Sequence, residues 1–205
     1  TRNTMDSNNR ASKKITWRKA AVYISAIALI SLADPRPTTF WVGACLVLLA
    51  WVLRIWAFGY LDKNALMVTT GPYAYTRNPA YLGSFIALVG ISLASGNIES
   101  LRGQLVWGFA LFLMVCFFSF YFPRKMEREY PRLQKLFGEQ LEEHAANVPN
   151  FWPQITPWRS GQERSFSFSL LKENHELSWG VAFAIALTII YTVESWTPFF
   201  SAPLQ

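Results

Sequence analysis

The chain has 205 residues, 52% of them hydrophobic and only 16% charged, which is too apolar for an ordinary soluble domain of this size. Its formal net charge is +6, but no basic run interleaved with aromatics of the kind that grips RNA or DNA is present, so the excess suits anionic lipid headgroups and not nucleic acid. Two cysteines, Cys45 and Cys116, and two histidines, His144 and His175, lie far apart in sequence; this excludes a disulfide framework and gives no zinc spacing, so no metal is expected.

In chain order, a basic tail over residues 1–16 precedes the first of five apolar stretches, at about 17–33, 39–60, 79–95, 105–122 and 179–197. Each approaches the ~20 residues that cross a hydrocarbon core as a helix, and irregular backbone cannot face lipid. The expectation is an all-α integral membrane protein with five transmembrane helices, forming a single membrane domain over 1–205. The first stretch also resembles a signal peptide, with a cleavage-like Ser31-Leu32-Ala33. Asp34-Pro35 fits a short turn into the next span, and the first helix is read as retained. Cys45 and Cys116 fall inside spans and read as small buried apolar residues. Arg54, near a span end, reads as snorkelling to the interface. His144 and His175 read as solvated or capping groups.

With the N-terminus in the cytoplasm, alternation of five spans leaves only Arg36 and Arg102 of the 19 lysines and arginines on the outer side. That asymmetry predicts a cytoplasmic N-terminus and a C-terminus across the membrane, whether bacterial inner membrane or endoplasmic reticulum. The long polar segment 123–178 is then cytoplasmic, and the functional surface with it.

Residues 66–83 read LMVTTGPYAYTRNPAYLG: a Gly71-Pro72 turn, Tyr73, Tyr75 and Tyr81, the fixed cation Arg77, and Pro79 opening a helix. Taken singly, the tyrosines suit interface anchors, Arg77 suits a lipid phosphate, and Gly83 and Gly90 suit close helix packing. After the fourth span, 123–146 is expected to continue as an amphipathic helix leaving or lying on the membrane. Lys125 and Glu129 share a face of it four residues apart, a spacing that alone reads as an exposed ion pair. Pro149, Pro153 and Pro157 exclude regular helix beyond about 147, so VPNFWP is extended, as a rigid linker or folded back over a pocket. Residues 154–178 form a cytoplasmic connector, loose over 154–169, before the last span at 179–197.

Read together, Met67-Val68, Gly71, Tyr73, Arg77-Asn78-Pro79, Tyr81 and Gly83, followed by Glu129, Leu133, Phe137-Gly138 and Val148-Pro149 to Pro153, resemble the paired signature of the isoprenylcysteine carboxyl methyltransferase family, which is related to the phospholipid N-methyltransferases. The resemblance covers about 60–153 as a methyltransferase-like core. It implies a cytoplasmic-side pocket for S-adenosylmethionine, contacted by Ala65, Leu66, Met67, Val68, Tyr73, Asn78, Pro79, Ala80, Tyr81 and Glu129. It implies catalytic roles for Arg77, Lys125 and Glu129, and a substrate side formed by Arg124, Lys125 and Asn150. The implied partners are membrane lipids and a lipophilic or prenylated methyl acceptor, with O-methylation favoured over N-methylation.

The chain departs from that signature where Asn78 replaces the usual His, Tyr130 the second Glu, Lys125 an Arg, Leu141 and His144 two tyrosines, and Asn150 an Arg. Asn still donates and accepts, and Lys holds a carboxylate as a point charge without Arg's fork. The departures therefore bear on the acceptor more than on the methyl donor. Two other classes compete: a nicotinamide-dependent membrane reductase resembling the sterol reductases, for which Arg77, Arg124 and Arg128 would face phosphates, and a non-catalytic lipid-binding protein.

Overall fold

The computed structural model describes residues 17–63, 65–162 and 164–200, with side chains described from 24 to 193 within that range. The basic tail 1–16, with its share of the cation asymmetry, lies outside the described residues. The helices are α1 (Trp17–Ser31), α2 (Pro37–Tyr60), α3 (Pro79–Ser95), α4 (Leu101–Cys116), α5 (Phe122–Phe137), α6 (Glu139–Asn147), α7 (Phe168–Glu173) and α8 (Leu177–Phe200). Among the described residues no strand occurs, as the apolar pattern predicts.

Helix starts follow local chemistry. Pro37 and Pro79 occupy first turns, where a missing N–H costs nothing. Ser100 caps α4, its Oγ accepting from the Gly103 N–H at 2.9 Å. Between α4 and α5 the chain continues through a π-helical turn, Phe117–Tyr121, in which the Phe122 N–H reaches back to the Phe117 carbonyl. Pro123 follows at once; a wider turn relieves the clash that its ring would make in a regular helix. The helix 101–137 is thus continuous, and it ends sooner than the sequence suggests. Gly138 sits at φ +50° and splits the expected 123–146 helix into α5 and α6.

Two helices are long and apolar enough to cross a membrane, Pro37–Tyr60 and Leu101–Phe137; Pro79–Ser95 and Leu177–Val193 are apolar but shorter. The outward faces of the long helices carry Trp41, Val42, Leu48, Leu111, Phe112 and Val115, all exposed. Such continuous apolar surface belongs against lipid. Cys45 lies on that exposed face and Cys116 is half-buried, so neither fills the interior as expected.

α2 and α3 pack closest. A Cβ on Gly43 would stand 2.4 Å from the Gly90 carbonyl, and one on Gly90 2.8 Å from that of Gly43. At one end of the bundle, loops 32–36 and 96–102 interlock. The Asn97 side-chain amide donates to the Asp34 carbonyl (2.7 Å) and carboxylate (3.1 Å), and Ser100 also bonds that carboxylate. Arg102 binds the Ser31 and Leu32 carbonyls, and Arg36 pairs with Glu99. Burial pushes the Asp34 carboxyl up, but the Ser100 and Asn97 bonds and the charges of Arg36 and Arg102 outweigh it and hold it below the ordinary value.

Arg54 corrects the sequence reading. It does not snorkel. It is buried, and its guanidinium forms a two-pronged pair with Glu176, which immediately precedes α8, at 2.5 and 2.8 Å. Its remaining donors reach Ser84 Oγ (2.6 Å) and the Ala80 carbonyl (3.2 Å), and Phe58 and Trp179 lie each 5.3 Å from it. The absence of a side chain at Gly83 makes room, because a Cβ there would meet Arg54 Cγ at 2.6 Å. Arg54 therefore ties α2, α3 and α8 at the end where the polar segments gather.

Candidate functional site

The segment between α2 and α3 is irregular apart from a short 3-10 turn, Gly71–Ala74. Its backbone polar groups need partners, and the proline-rich strap after α6 supplies them. The Arg77 N–H donates to the Pro149 carbonyl (2.9 Å), Thr76 Oγ1 to the Phe151 carbonyl (2.9 Å), the Gln154 N–H to the Tyr75 carbonyl (3.0 Å), and the Trp158 N–H to the Ala74 carbonyl (3.0 Å). Farther along, Gln162 accepts from the Thr69 N–H (3.0 Å) and donates to the Met67 carbonyl (2.8 Å), while Thr69 and Ser160 share a 2.6 Å hydroxyl bond. The strap is thus folded back over the loop. The region 154–162, expected to be loose, is pinned by these side chains.

Asn78 precedes α3 at its N-cap but does not cap it. Its amide donates instead to the Asn150 carbonyl (2.9 Å) and Oδ1 (2.8 Å). The two Asn departures from the family signature therefore bind one another. Beside them, Tyr81 on α3 donates its hydroxyl to Glu129 Oε2 on α5 at 3.3 Å, and Lys125 Nζ meets Glu129 Oε1 at 2.5 Å. Lys125 and Glu129 side chains are 30% and 27% exposed, so solvent still reaches the pair. Behind it stands an apolar wall: Phe85 against Phe118 at 4.9 Å, Phe118 against Phe151 at 5.1 Å, and Phe151 against Phe122 at 5.0 Å. Leu82, Phe122 and Phe151 are the buried centre of that wall.

The structure brings together Asn78 with Asn150, Arg77 with the strap backbone, and Tyr81 with Glu129 and Lys125. Pro79 is buried, and Ala80 lends its carbonyl to Arg54. Tyr73 is buried, which holds its phenol above the ordinary range. Val68 is buried and Met67 half-buried against the strap, whereas Ala65 and Leu66 are exposed. Among the described residues no hydrogen bond or ion pair joins 65–68 to Glu129. Arg124 is exposed and lies 5.4 Å from the Phe120 ring, on the outside of α5.

Sequence reasoning misses His144, expected to be solvated or capping. It is 1% exposed. Its Nε2 lies 2.8 Å from the Tyr73 carbonyl and its ring stacks on Trp158 at 5.6 Å. A carbonyl only accepts, so Nε2 carries the proton and the neutral ring presents Nδ1 as an acceptor. Burial is the largest cause of its lowered pKa; the Tyr73 bond opposes the shift and the nearby charge of Arg77 reinforces it. Arg77 is half-buried, which lowers its pKa, with Tyr130 of α5 acting the other way; a guanidinium keeps its charge regardless.

Comparison with known proteins finds relatives by sequence. The family pattern described as phospholipid methyltransferase matches residues 38–140, α2 into α6. The nickel-cobalt-cadmium resistance protein NccN of Alcaligenes xylosoxydans xylosoxydans is 31% identical over 153 residues, 70% of this chain and 66% of that protein. The protein-S-isoprenylcysteine O-methyltransferase of Schizosaccharomyces pombe is 32% identical over 96 residues, 46% of this chain and 36% of that one. The cobalt-zinc-cadmium resistance protein CzcN of Cupriavidus metallidurans is 27% identical over 167 residues, 77% of this chain and 71% of that one. The chain spans less than two thirds of the length of the first two. No solved structure matches.

Proposed function

Because this chain belongs to the phospholipid methyltransferase family, we propose that it is an integral-membrane methyltransferase. It uses S-adenosylmethionine and methylates a lipophilic acceptor, on oxygen, at the cytoplasmic face. The observation that carries this reading is the meeting of Tyr81 and Glu129, 48 positions apart in sequence, with Lys125 on the same carboxylate. Five spans with the N-terminus inside complete the proposal, with α1, α3 and α8 crossing beside the two longer helices.

The residues present fit such a cofactor. Glu129 is a solvent-reachable carboxylate that accepts from a ligand's hydroxyl or amine groups. Tyr81 supplies an aromatic face of the kind that attracts a cation. Buried polar atoms with no partner also lie here, at Thr70 Oγ1 and Arg77 Nε in the loop and His144 Nδ1 on α6. When bound, the cofactor supplies a methyl group on a sulfonium, the electrophile of an in-line displacement. The chain's own residues position and exclude. The strap covers the loop, the Phe85–Phe118–Phe151 wall accommodates an apolar tail, and Lys125 presents a cation where a head group would lie, its stem running along apolar surface.

Transfer of a labelled methyl group to a prenylcysteine analogue and to phosphatidylethanolamine tests the acceptor. With a carboxylate acceptor, Lys125→Gln lowers turnover and leaves cofactor affinity intact, because the lost contact is on the substrate side. With an amine acceptor, the same change is neutral or activating, which contradicts O-methylation. Transfer to neither lipid with the cofactor bound sinks the lipid-acceptor reading.

A further inference from the structure

α7 and α8 lie beyond residues 38–140, which carry the family pattern, yet a side chain between them reaches Arg54 on α2. Glu176 is 1% exposed. It enters the interior because the chain leaves α7 through His175 at φ +54°, a left-handed position that glycine usually fills. The Glu176 N–H then returns to the Leu171 carbonyl (3.2 Å) and the His175 N–H to that of Lys172 (3.1 Å). The Asn174 amide donates to the Leu61 carbonyl (3.2 Å), which docks this turn on the end of α2. A residue other than glycine costs energy in that conformation, and such strain persists where the surroundings fix something by it. What is fixed here is a carboxylate across Nε and Nη2 of Arg54.

Glu176 thereby aims the remaining arm, Nη1, at the first turns of α3. Nη1 donates to Ser84 Oγ (2.6 Å) and to the Ala80 carbonyl (3.2 Å), and the Ser84 hydroxyl donates to the same carbonyl (2.9 Å). Two side chains thus converge on one carbonyl. That carbonyl and the Tyr81 N–H belong to a single planar peptide, and the N–H end donates to the Asn78 carbonyl (3.1 Å). The peptide that launches Tyr81 is therefore held at both ends, and the Tyr81 hydroxyl goes on to Glu129 Oε2. Gly83 lets the guanidinium stem pass, since a Cβ there would meet Arg54 Cγ at 2.6 Å. We propose that Arg54, oriented by Glu176, is a positioning residue for the methyl-donor site. It fixes the Ala80–Tyr81 peptide, and through it the phenol that holds the Glu129 carboxylate. This rests on the cofactor reading above. The segment after residue 163 then supports the site as well as adding a helix to the bundle.

The test is a mutant cycle read by calorimetric titration of the full chain in lipid nanodiscs with S-adenosylhomocysteine. Arg54→Met with Glu176→Leu removes the clamp while keeping the space filled and leaving no buried charge unpaired. Ser84→Ala removes only the hydroxyl between Arg54 and α3. Tyr81→Phe and the Arg54→Met, Glu176→Leu variant should each lower affinity roughly tenfold, and Ser84→Ala roughly threefold. Added to Tyr81→Phe, neither clamp change should lower it further, because the clamp acts through the phenol. Losses that add instead would show a general structural support, and the positioning role is refuted. Wild-type affinity in the clamp variants, or in Tyr81→Phe, refutes it too while the cofactor reading stands. If the wild type does not bind the ligand, the cofactor reading itself fails and takes the positioning role with it. If the Arg54→Met, Glu176→Leu variant does not fold, Ser84→Ala, which leaves the ion pair in place, decides the cycle alone.

Discussion

Arg54 and Arg77 stand at the same end of the bundle and differ in almost every respect. Arg54 is buried and saturated: a two-pronged pair with Glu176, a hydroxyl, a carbonyl, and rings on its flanks. Arg77 is half-buried, and its guanidinium has no acidic partner among the described residues, with Nε unmet. A cation with four of its five N–H donors spent inside the protein holds helices together. A cation with donors left over is poised for something that is not part of the chain. The same contrast separates Glu176, almost fully buried, from Glu129, which solvent still reaches.

If the contrast is sound, the largest effect belongs to the saturated pair. Glu176→Ala leaves a buried, unpaired guanidinium and should cost about 3–5 kcal/mol of stability, whereas replacing both partners by apolar residues of similar volume, Arg54→Met with Glu176→Leu, should cost far less. Unfolding of the purified chain in mixed micelles measures both; equal losses would mean that the pair is not the lock described. Burial holds the Glu176 carboxyl above its ordinary value against the pull of Arg54 and Lys63, which agrees with a pair whose worth lies in completeness and not in raw attraction.

Glu129→Ala should act on the other side of the comparison. It should weaken cofactor binding by about 1.5–3 kcal/mol and barely change stability, since a half-exposed Lys–Glu pair is worth under about 1 kcal/mol. A stability loss matching that of Glu176→Ala would erase the distinction.

His144 offers a pH readout. Its pKa in the folded chain lies below the ordinary 6.5, so above that pH both states are neutral and nothing is gained or lost. Below it, the unfolded chain takes up a proton that the folded chain refuses, and stability falls by up to about 1.4 kcal/mol per pH unit until the folded pKa is reached. His144→Gln should remove this slope, and urea unfolding midpoints of wild type and variant between pH 5 and 7 would show whether it does. The smallest effect is expected for Arg77→Gln without ligand. It breaks no ion pair, so its unfolding midpoint should stay near that of wild type.

The elements that depend on local pattern were legible in the sequence. α3 runs from Pro79 to Ser95 as its apolar stretch and opening proline predict, and the proline spacing after 147 forbids helix where the strap lies. What was not legible depends on distant partners. Arg54 reads as an interfacial side chain because Glu176 lies 122 positions away, in a segment read as connector. His144 reads as a polar residue on an amphipathic helix because its partners, Tyr73 and Trp158, come from two other segments. The break at Gly138 was hidden by the apolar stripe of Leu133, Leu136 and Phe137; a positive φ reveals it. Of the residues implied by family resemblance, Asn78, Tyr81, Lys125, Glu129 and Asn150 are joined by direct contacts, whereas Arg124 faces Phe120 on the outside of α5.

In the proposed function, the surface around Tyr81 and Glu129 holds a methyl donor. The most direct test is calorimetric titration of the wild-type chain and of Glu129→Ala with S-adenosylhomocysteine, and of the wild type with NADPH. Saturable binding of S-adenosylhomocysteine is expected, weakened by roughly tenfold or more in the variant, with no binding of NADPH. Saturable binding of NADPH, or S-adenosylhomocysteine affinity that is the same with and without the Glu129 carboxylate, would contradict it.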